Sequence, residues 1–295
     1  MEVSKYHPFK SEQAKEEYLA YYDLRAKGWP IPSETKMVDT SFGQTFVRIS
    51  GPGDGHPLVL LPGSVFNSLM WIPNIEALSK EYRTYAVDNI YDCGRSIYTR
   101  ELTSPQDFVQ WLDELFTALD LGNDIRMMGL SYGSWLTHQY ALQYPQRLKK
   151  TVMLAHPAIV RANLEFVFRF MLGFLSPRHL NSFFHWILKD TAQKGERSLA
   201  FMDEIIGDVQ LVTTCFKPKR TVVPKIVKDE GLSSLKVPAL FLMGENEKTF
   251  PPQKAIKRIK KIASQAQTEI IQNAGHDLSM AQAELVNQKV LTFLK

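Results

Sequence analysis

The residues that point most directly to chemistry lie in Asp124-Ile125-Arg126-Met127-Met128-Gly129-Leu130-Ser131-Tyr132-Gly133-Ser134-Trp135. An apolar run ends at Gly129, a serine sits between two glycines, and a helical pattern begins at once with Trp135, Leu136, His138, Gln139 and Tyr140. Strand, sharp turn and helix with Ser131 at the tip is the spacing of a nucleophile elbow, Gly129-x-Ser131-x-Gly133. The serine has to be held in a strained backbone conformation so that its oxygen projects from a sheet. Glycines flank it because side chains there would strike the neighbouring strand and helix. The implied chemistry is nucleophilic attack by a serine oxygen.

A second glycine loop fits that chemistry. Pro57-Leu58-Val59-Leu60-Leu61 reads as a strand buried on both faces. It runs into Pro62-Gly63-Ser64-Val65-Phe66-Asn67-Ser68. Backbone N–H groups in such a loop can point at a developing oxyanion without side-chain obstruction. No metal-ligand cluster is visible: Cys93 and Cys215 have no histidine or cysteine partner at a metal spacing. The pattern calls for no cofactor.

The elements that must hold these residues alternate regularly. A helix from about Ser11 to Lys27 has Ser11 as its cap, with Tyr18, Leu19, Tyr22 and Leu24 as its apolar stripe. Met37 to Phe42 and Gln44 to Ile49 form a hairpin about Gly43. After Pro57–Leu61 come a helix over Trp71 to Leu78, a strand over Tyr82 to Val87, a polar loop Asp88 to Ser96, and a helix opening at Ser104-Pro105. The elbow strand and helix follow, then a strand over Lys150 to Ala155. The alternation breaks from about His156 to Leu235, which is helical and rich in aromatics. It resumes with a strand at Pro238 to Met243, a helix at Pro252 to Ile262, a strand at Glu269 to Gln272 and a last helix at Met280 to Leu294. The fold class is therefore α/β: a doubly wound, mostly parallel sheet with one helical insertion. The divisions are an N-terminal helical extension (1–35) that packs on the domain it precedes, a core (36–157 and 236–295) and the insertion (158–235).

Totals narrow the function classes. The 295-residue chain is 44% hydrophobic, enough for a large core. A formal charge of +4 does not point to nucleic acid or to a membrane surface. Two distant cysteines, no secretory signal and no stretch of transmembrane length predict a cytoplasmic protein without stable membrane insertion.

Over residues 36–295 the chain resembles the α/β-hydrolase superfamily, and the insertion falls where that family carries its cap domain. Four landmarks occur in family order: Leu61-Pro62-Gly63-Ser64, the loop Asp88 to Ser96, the elbow at Ser131, and a C-terminal acid and histidine. The resemblance implies a triad of Ser131, Glu247 and His276. His276 follows the last strand in Asn273-Ala274-Gly275-His276-Asp277, where the family's general base sits. The acid loop reads Gly244-Glu245-Asn246-Glu247. Glu247 stands three residues after the glycine, where an aspartate is usual, and Glu245 is the competitor. The oxyanion hole falls to the backbone N–H groups of Tyr132 and Ser64, with Val65 as the alternative to Ser64. This chain has Pro62-Gly63 where many members have His-Gly, so support for that loop has to come from elsewhere. His156 is placed near the rim of the site, in packing or substrate contact.

A serine at the elbow, rather than aspartate, argues for acyl chemistry. The expected reaction is hydrolysis of a small or medium apolar ester through an acyl-enzyme. Carbon–carbon hydrolysis, amide hydrolysis and acyl transfer are alternatives on the same nucleophile. A non-catalytic ligand-binding member is an alternative of another class. Candidate substrate contacts are Val65 and Phe66 from the loop, Phe170 and Phe174 from the insertion, and Phe250 from below. The expected partner is a small-molecule ester. The basic helix bearing Lys254, Lys257, Arg258, Lys260 and Lys261 reads as a solvated outer face.

Overall fold

The computed structural model describes residues 4–173 and 175–295. Strands β1 (Glu34–Thr40), β2 (Gly43–Ser50), β3 (Pro57–Leu61), β4 (Arg83–Val87), β5 (Ile97–Tyr98), β6 (Ile125–Leu130), β7 (Leu148–Leu154), β8 (Ala239–Gly244) and β9 (Gln267–Ile271) form one sheet. Its order is β1-β2-β4-β3-β6-β7-β8-β9, with β5 beside β2. The β1–β2 hairpin and the β2–β4 pair are antiparallel, and every pair from β4 to β9 along that order is parallel. Parallel pairing aligns the carboxyl ends of the strands, and in open α/β sheets ligands bind beyond those ends.

The helices are α1 (Glu12–Ala26), α2 (Ile72–Leu78), α3 (Pro105–Ala118), α4 (Tyr132–Gln143), α5 (Leu164–Gly173), α6 (Pro177–Ile187), α7 (Lys189–Ala192), α8 (Glu196–Cys215), α9 (Asp229–Ser233), α10 (Pro252–Ile262), α11 (Leu278–Ala281) and α12 (Ala283–Leu294). Alternate side chains of β3 sort them into two layers. Val59 and Leu61 join a core with Trp111 of α3, Trp135 of α4 and Ile259 of α10. Leu58 and Leu60 join the other with Tyr18 of α1, Ile75 of α2 and Val290 of α12. The uniformly apolar strand is thus covered on both faces.

Two caps match the sequence closely. The Ser11 hydroxyl accepts the Ala14 N–H, and Ser104 forms a capping box with Asp107 before Pro105. The stripe of α1 departs from expectation by one residue. Leu24 is 60% exposed, whereas Arg25 is buried and ion-paired with Asp208 of α8. An arginine can take the inward position because the insertion supplies a carboxylate there. The extension is therefore bolted to the molecule. Tyr18 and Tyr22 are fully buried, and the Tyr22 hydroxyl donates to Asp88 in the loop after β4.

The segment between β7 and β8 holds α5 to α9. Arg258, expected on a solvated face, clamps both ends of that segment instead. Its guanidinium donates to the Ile159 and Val227 carbonyls and pairs with Asp229. The neighbouring Lys254, Lys257, Lys260 and Lys261 are exposed.

Candidate active site

Ser131 stands between β6 and α4 with φ 51° and ψ −113°. That conformation is unfavourable for any residue with a Cβ, and the surroundings hold it in place. The Ser131 N–H donates to the Leu154 carbonyl at 2.9 Å, and the Ser131 carbonyl accepts from the Trp135 N–H at 3.0 Å. The flanking glycines are required by space. A Cβ on Gly129 would lie 2.2 Å from the Gly133 carbonyl oxygen, and one on Gly133 would lie 2.2 Å from that of Leu61. The same geometry sets the serine at the positive end of the α4 dipole.

Backbone hydrogen bonds then step across the strand ends. The Ala155 N–H reaches the Leu242 carbonyl, that of Glu245 reaches Ile271, and that of Asn246 reaches Ala274. The turns after β6, β7, β8 and β9 are thereby tied into one platform. Positive φ at Val65, Ser131, Ala155 and Asn273 is confined to this end of the sheet, leaving only Asp120 elsewhere among the described non-glycine residues.

On that platform Glu247 and His276 meet. His276 Nδ1 lies 2.9 Å from Glu247 Oε2 and 3.1 Å from Oε1. The Glu247 side chain is fully buried. Its Oε1 also accepts the N–H and the hydroxyl of Thr249, each at 2.8 Å. Burial opposes the imidazolium, but the Glu247 charge, its hydrogen bond and the Asp277 carboxylate outweigh it and raise the His276 pKa above the ordinary value. Glu245 lies outside this arrangement. It is exposed, and its carboxylate accepts the Asn273 N–H at 3.2 Å. The loop bearing His276 is braced from the insertion, where the N–H and hydroxyl of Thr191 donate to Asp277 at 2.8 and 2.6 Å.

The loop after β3 closes the other side. A Cβ on Gly63 would lie 3.7 Å from the Ser131 Cβ, so the loop abuts the serine. The Val65 N–H donates to Asp92 Oδ2 at 3.1 Å and is therefore occupied. The N–H groups of Ser64 and of Tyr132, the first residue of α4, have no acceptor among the described residues. The support missing with the His-Gly histidine comes from Asp92 and from Met70, whose sulfur accepts the Gly63 N–H at 3.4 Å. Sequence spacing gave no sign of Asp92, Thr249 or Thr191 in these roles.

The other expected residues are dispersed. Phe66 is buried with its ring 6.0 Å from that of Phe184 on α6. Phe250 is buried in the sheet core, two positions beyond the carbonyl of Lys248 that anchors Asn163 ahead of α5. Phe170 is 44% exposed on α5, stacked on Phe166 at 5.7 Å. Phe174 lies outside the described residues. His156 is not at a rim. It is fully buried, with Nε2 3.1 Å from His138 Nδ1 and Nδ1 accepting the Ala158 N–H. Among the described residues, no group of three or more His, Cys, Asp or Glu could hold a metal, and no helix is long and apolar enough to cross a membrane.

Residues 56–282 match the profile of the family described as alpha/beta hydrolase fold, and the chain belongs to that family. Carboxylesterase YbfK of Bacillus subtilis (strain 168) is 34% identical over 275 residues, 92% of each chain. The uncharacterized carboxylesterase nap of the same strain is 33% identical over 278 residues, 94% of this chain and 91% of its own. The crystal structure of the Bacillus subtilis naproxen esterase (carboxylesterase NP) superposes with a TM-score of 0.88 at 32% identity, covering 97% of this chain and all of that one.

Proposed function

We propose that this protein is a carboxylesterase that works through an acyl-enzyme on Ser131. The observation that carries the reading is the pairing of His276 Nδ1 with a buried, doubly hydrogen-bonded Glu247, on the platform that holds Ser131 strained at the elbow. Likeness to carboxylesterases along nine-tenths of the chain supports it.

With Nδ1 engaged, Nε2 is the nitrogen left to take the serine proton as Oγ attacks the ester carbonyl. Glu247 fixes that tautomer and stabilises the imidazolium. The N–H groups of Ser64 and Tyr132 receive the oxyanion, aided by the α4 dipole. His276 then gives the proton to the departing alkoxide, and water enters by the same route to release the acid. Residues 158–235 form the cap over the site, with Val65 and Phe66 as substrate contacts at its floor. A fluorophosphonate probe tests the nucleophile. Peptide mapping should find a single adduct on Ser131, and an adduct on any other residue would contradict the assignment.

A further inference from the structure

Three segments meet beside the candidate oxyanion hole. The N-terminal arm pairs with the chain leaving α8: Phe9 bridges Phe216, the Lys10 N–H donates to the Cys215 carbonyl, and the Lys217 N–H donates to that of Pro8. The stretch from Phe216 to Thr221 thereby lies against the loop after β3. Between them is a cavity of about 270 Å³ whose walls include Ser64, Val65, Tyr132, Asp92, Lys217 and Lys219. It therefore reaches both residues whose N–H groups are left without an acceptor.

Charge on these walls is one-sided. Lys10, Lys217 and Lys219 face a single carboxylate, Asp92. Asp92 is already engaged, since Oδ2 accepts the Val65 N–H at 3.1 Å and Oδ1 that of Cys93 at 3.0 Å. The ammoniums are not saturated. Lys219 lies 5.3 Å from the centre of the Tyr91 ring and makes no hydrogen bond among the described residues. Burial lowers its pKa, and the Asp92 charge only partly offsets that. Lys217 lies 5.0 Å from the Tyr6 ring and donates to the Ser4 hydroxyl at 3.4 Å, and Lys10 donates to the Thr213 carbonyl at 2.9 Å. An ammonium carries three donors, so each has at least two to offer. In a partly dry wall such groups attract an anion far more strongly than they would in water. The rest of the lining includes Val65, Val212 and Phe216, which suits a short hydrocarbon chain.

We propose that this cavity receives a carboxylate carried by the substrate, held by Lys217 and Lys219, so that the ester cleaved at Ser131 is an acid ester. The shared chemistry is a short chain with a charged end. The carboxylate belongs either to the acyl part, as in a half-ester of a dicarboxylic acid, or to the alcohol part, as in an ester of a hydroxy acid. The proposal deepens the esterase reading and rests on it for the position of the scissile bond.

Binding and turnover separate the two. Calorimetry on the full chain with Ser131→Ala compares monomethyl glutarate with dimethyl glutarate, and acetoxyacetate with its methyl ester. In at least one pair the acid should bind roughly tenfold tighter or more, the scale of a partly desolvated charge pair. Adding Lys217→Met or Lys219→Met should shrink that ratio, and Lys219→Arg should restore it. Equal or weaker binding of both acids, or a ratio untouched by both methionine substitutions, overturns the proposal. Turnover of the same esters by the Ser131 enzyme reports independently on the esterase reading: its absence for every ester would sink that reading while the binding ratios still decide the carboxylate site.

Discussion

At the residue scale, the proposed mechanism turns on His276 being held by Glu247. The base must be neutral to accept the serine proton, and its pKa is raised above 6.5. The kcat/KM of the wild type should therefore fall as pH drops through a value above 6.5. Glu247→Gln keeps the shape but removes the counter-charge. It should lower kcat roughly 10³- to 10⁴-fold and move the acid limb of the residual activity to lower pH. A pH–rate series on both proteins checks this, and an unmoved limb would show that Glu247 does not face the working base. Ser131 and its two glycines were legible because the elbow compresses its whole requirement into five consecutive positions. Glu247 and His276 were legible only through family order, since their 29-position separation is closed by the sheet. Asp92 was silent: its contact with Val65 spans 27 positions, and nothing local distinguishes it from any other loop aspartate.

At the element scale, strand and helix order followed from apolar runs and from caps such as Ser11 and Ser104, whose partners lie within one turn. The inward face of α1 did not follow, because the carboxylates that pair with the buried Arg25, Asp208 and the more exposed Glu204, lie 183 and 179 positions further along the chain. Breaking such a pair strands a charge in the interior. Arg25→Ala should cost roughly 3–5 kcal/mol, measured by urea unfolding, and the paired change Arg25→Met with Asp208→Leu should recover most of it. A loss below about 1 kcal/mol for Arg25→Ala would mean that α1 is held by its tyrosines alone. Removal of the first thirty residues, harmless if the extension were an appendage, would also take the buried Tyr18 and Tyr22 out of the core and strip Phe9 from Phe216.

At the scale of the whole molecule, the fold is buttressed behind the site by a neutral histidine pair. Burial lowers His138 to about 4 and pushes His156 down as well. A histidine with a depressed folded-state pKa takes up protons more readily when unfolded. Its contribution to stability is intact above about 6.5 and is lost as pH falls towards 4. For His138 alone the loss between neutrality and about pH 5 is roughly 2 kcal/mol. Thermal unfolding across that range should show a shallower pH dependence for His138→Gln than for the wild type, and identical slopes would refute it.

Ester hydrolysis by Ser131 is measured with a p-nitrophenyl ester series from acetate to long acyl chains, run on the wild type and Ser131→Ala. Turnover with a preferred chain length is expected in the wild type, with a loss of at least about 10⁴-fold in the variant. Hydrolysis that survives in folded Ser131→Ala, or a folded wild type inert towards every ester, would contradict it.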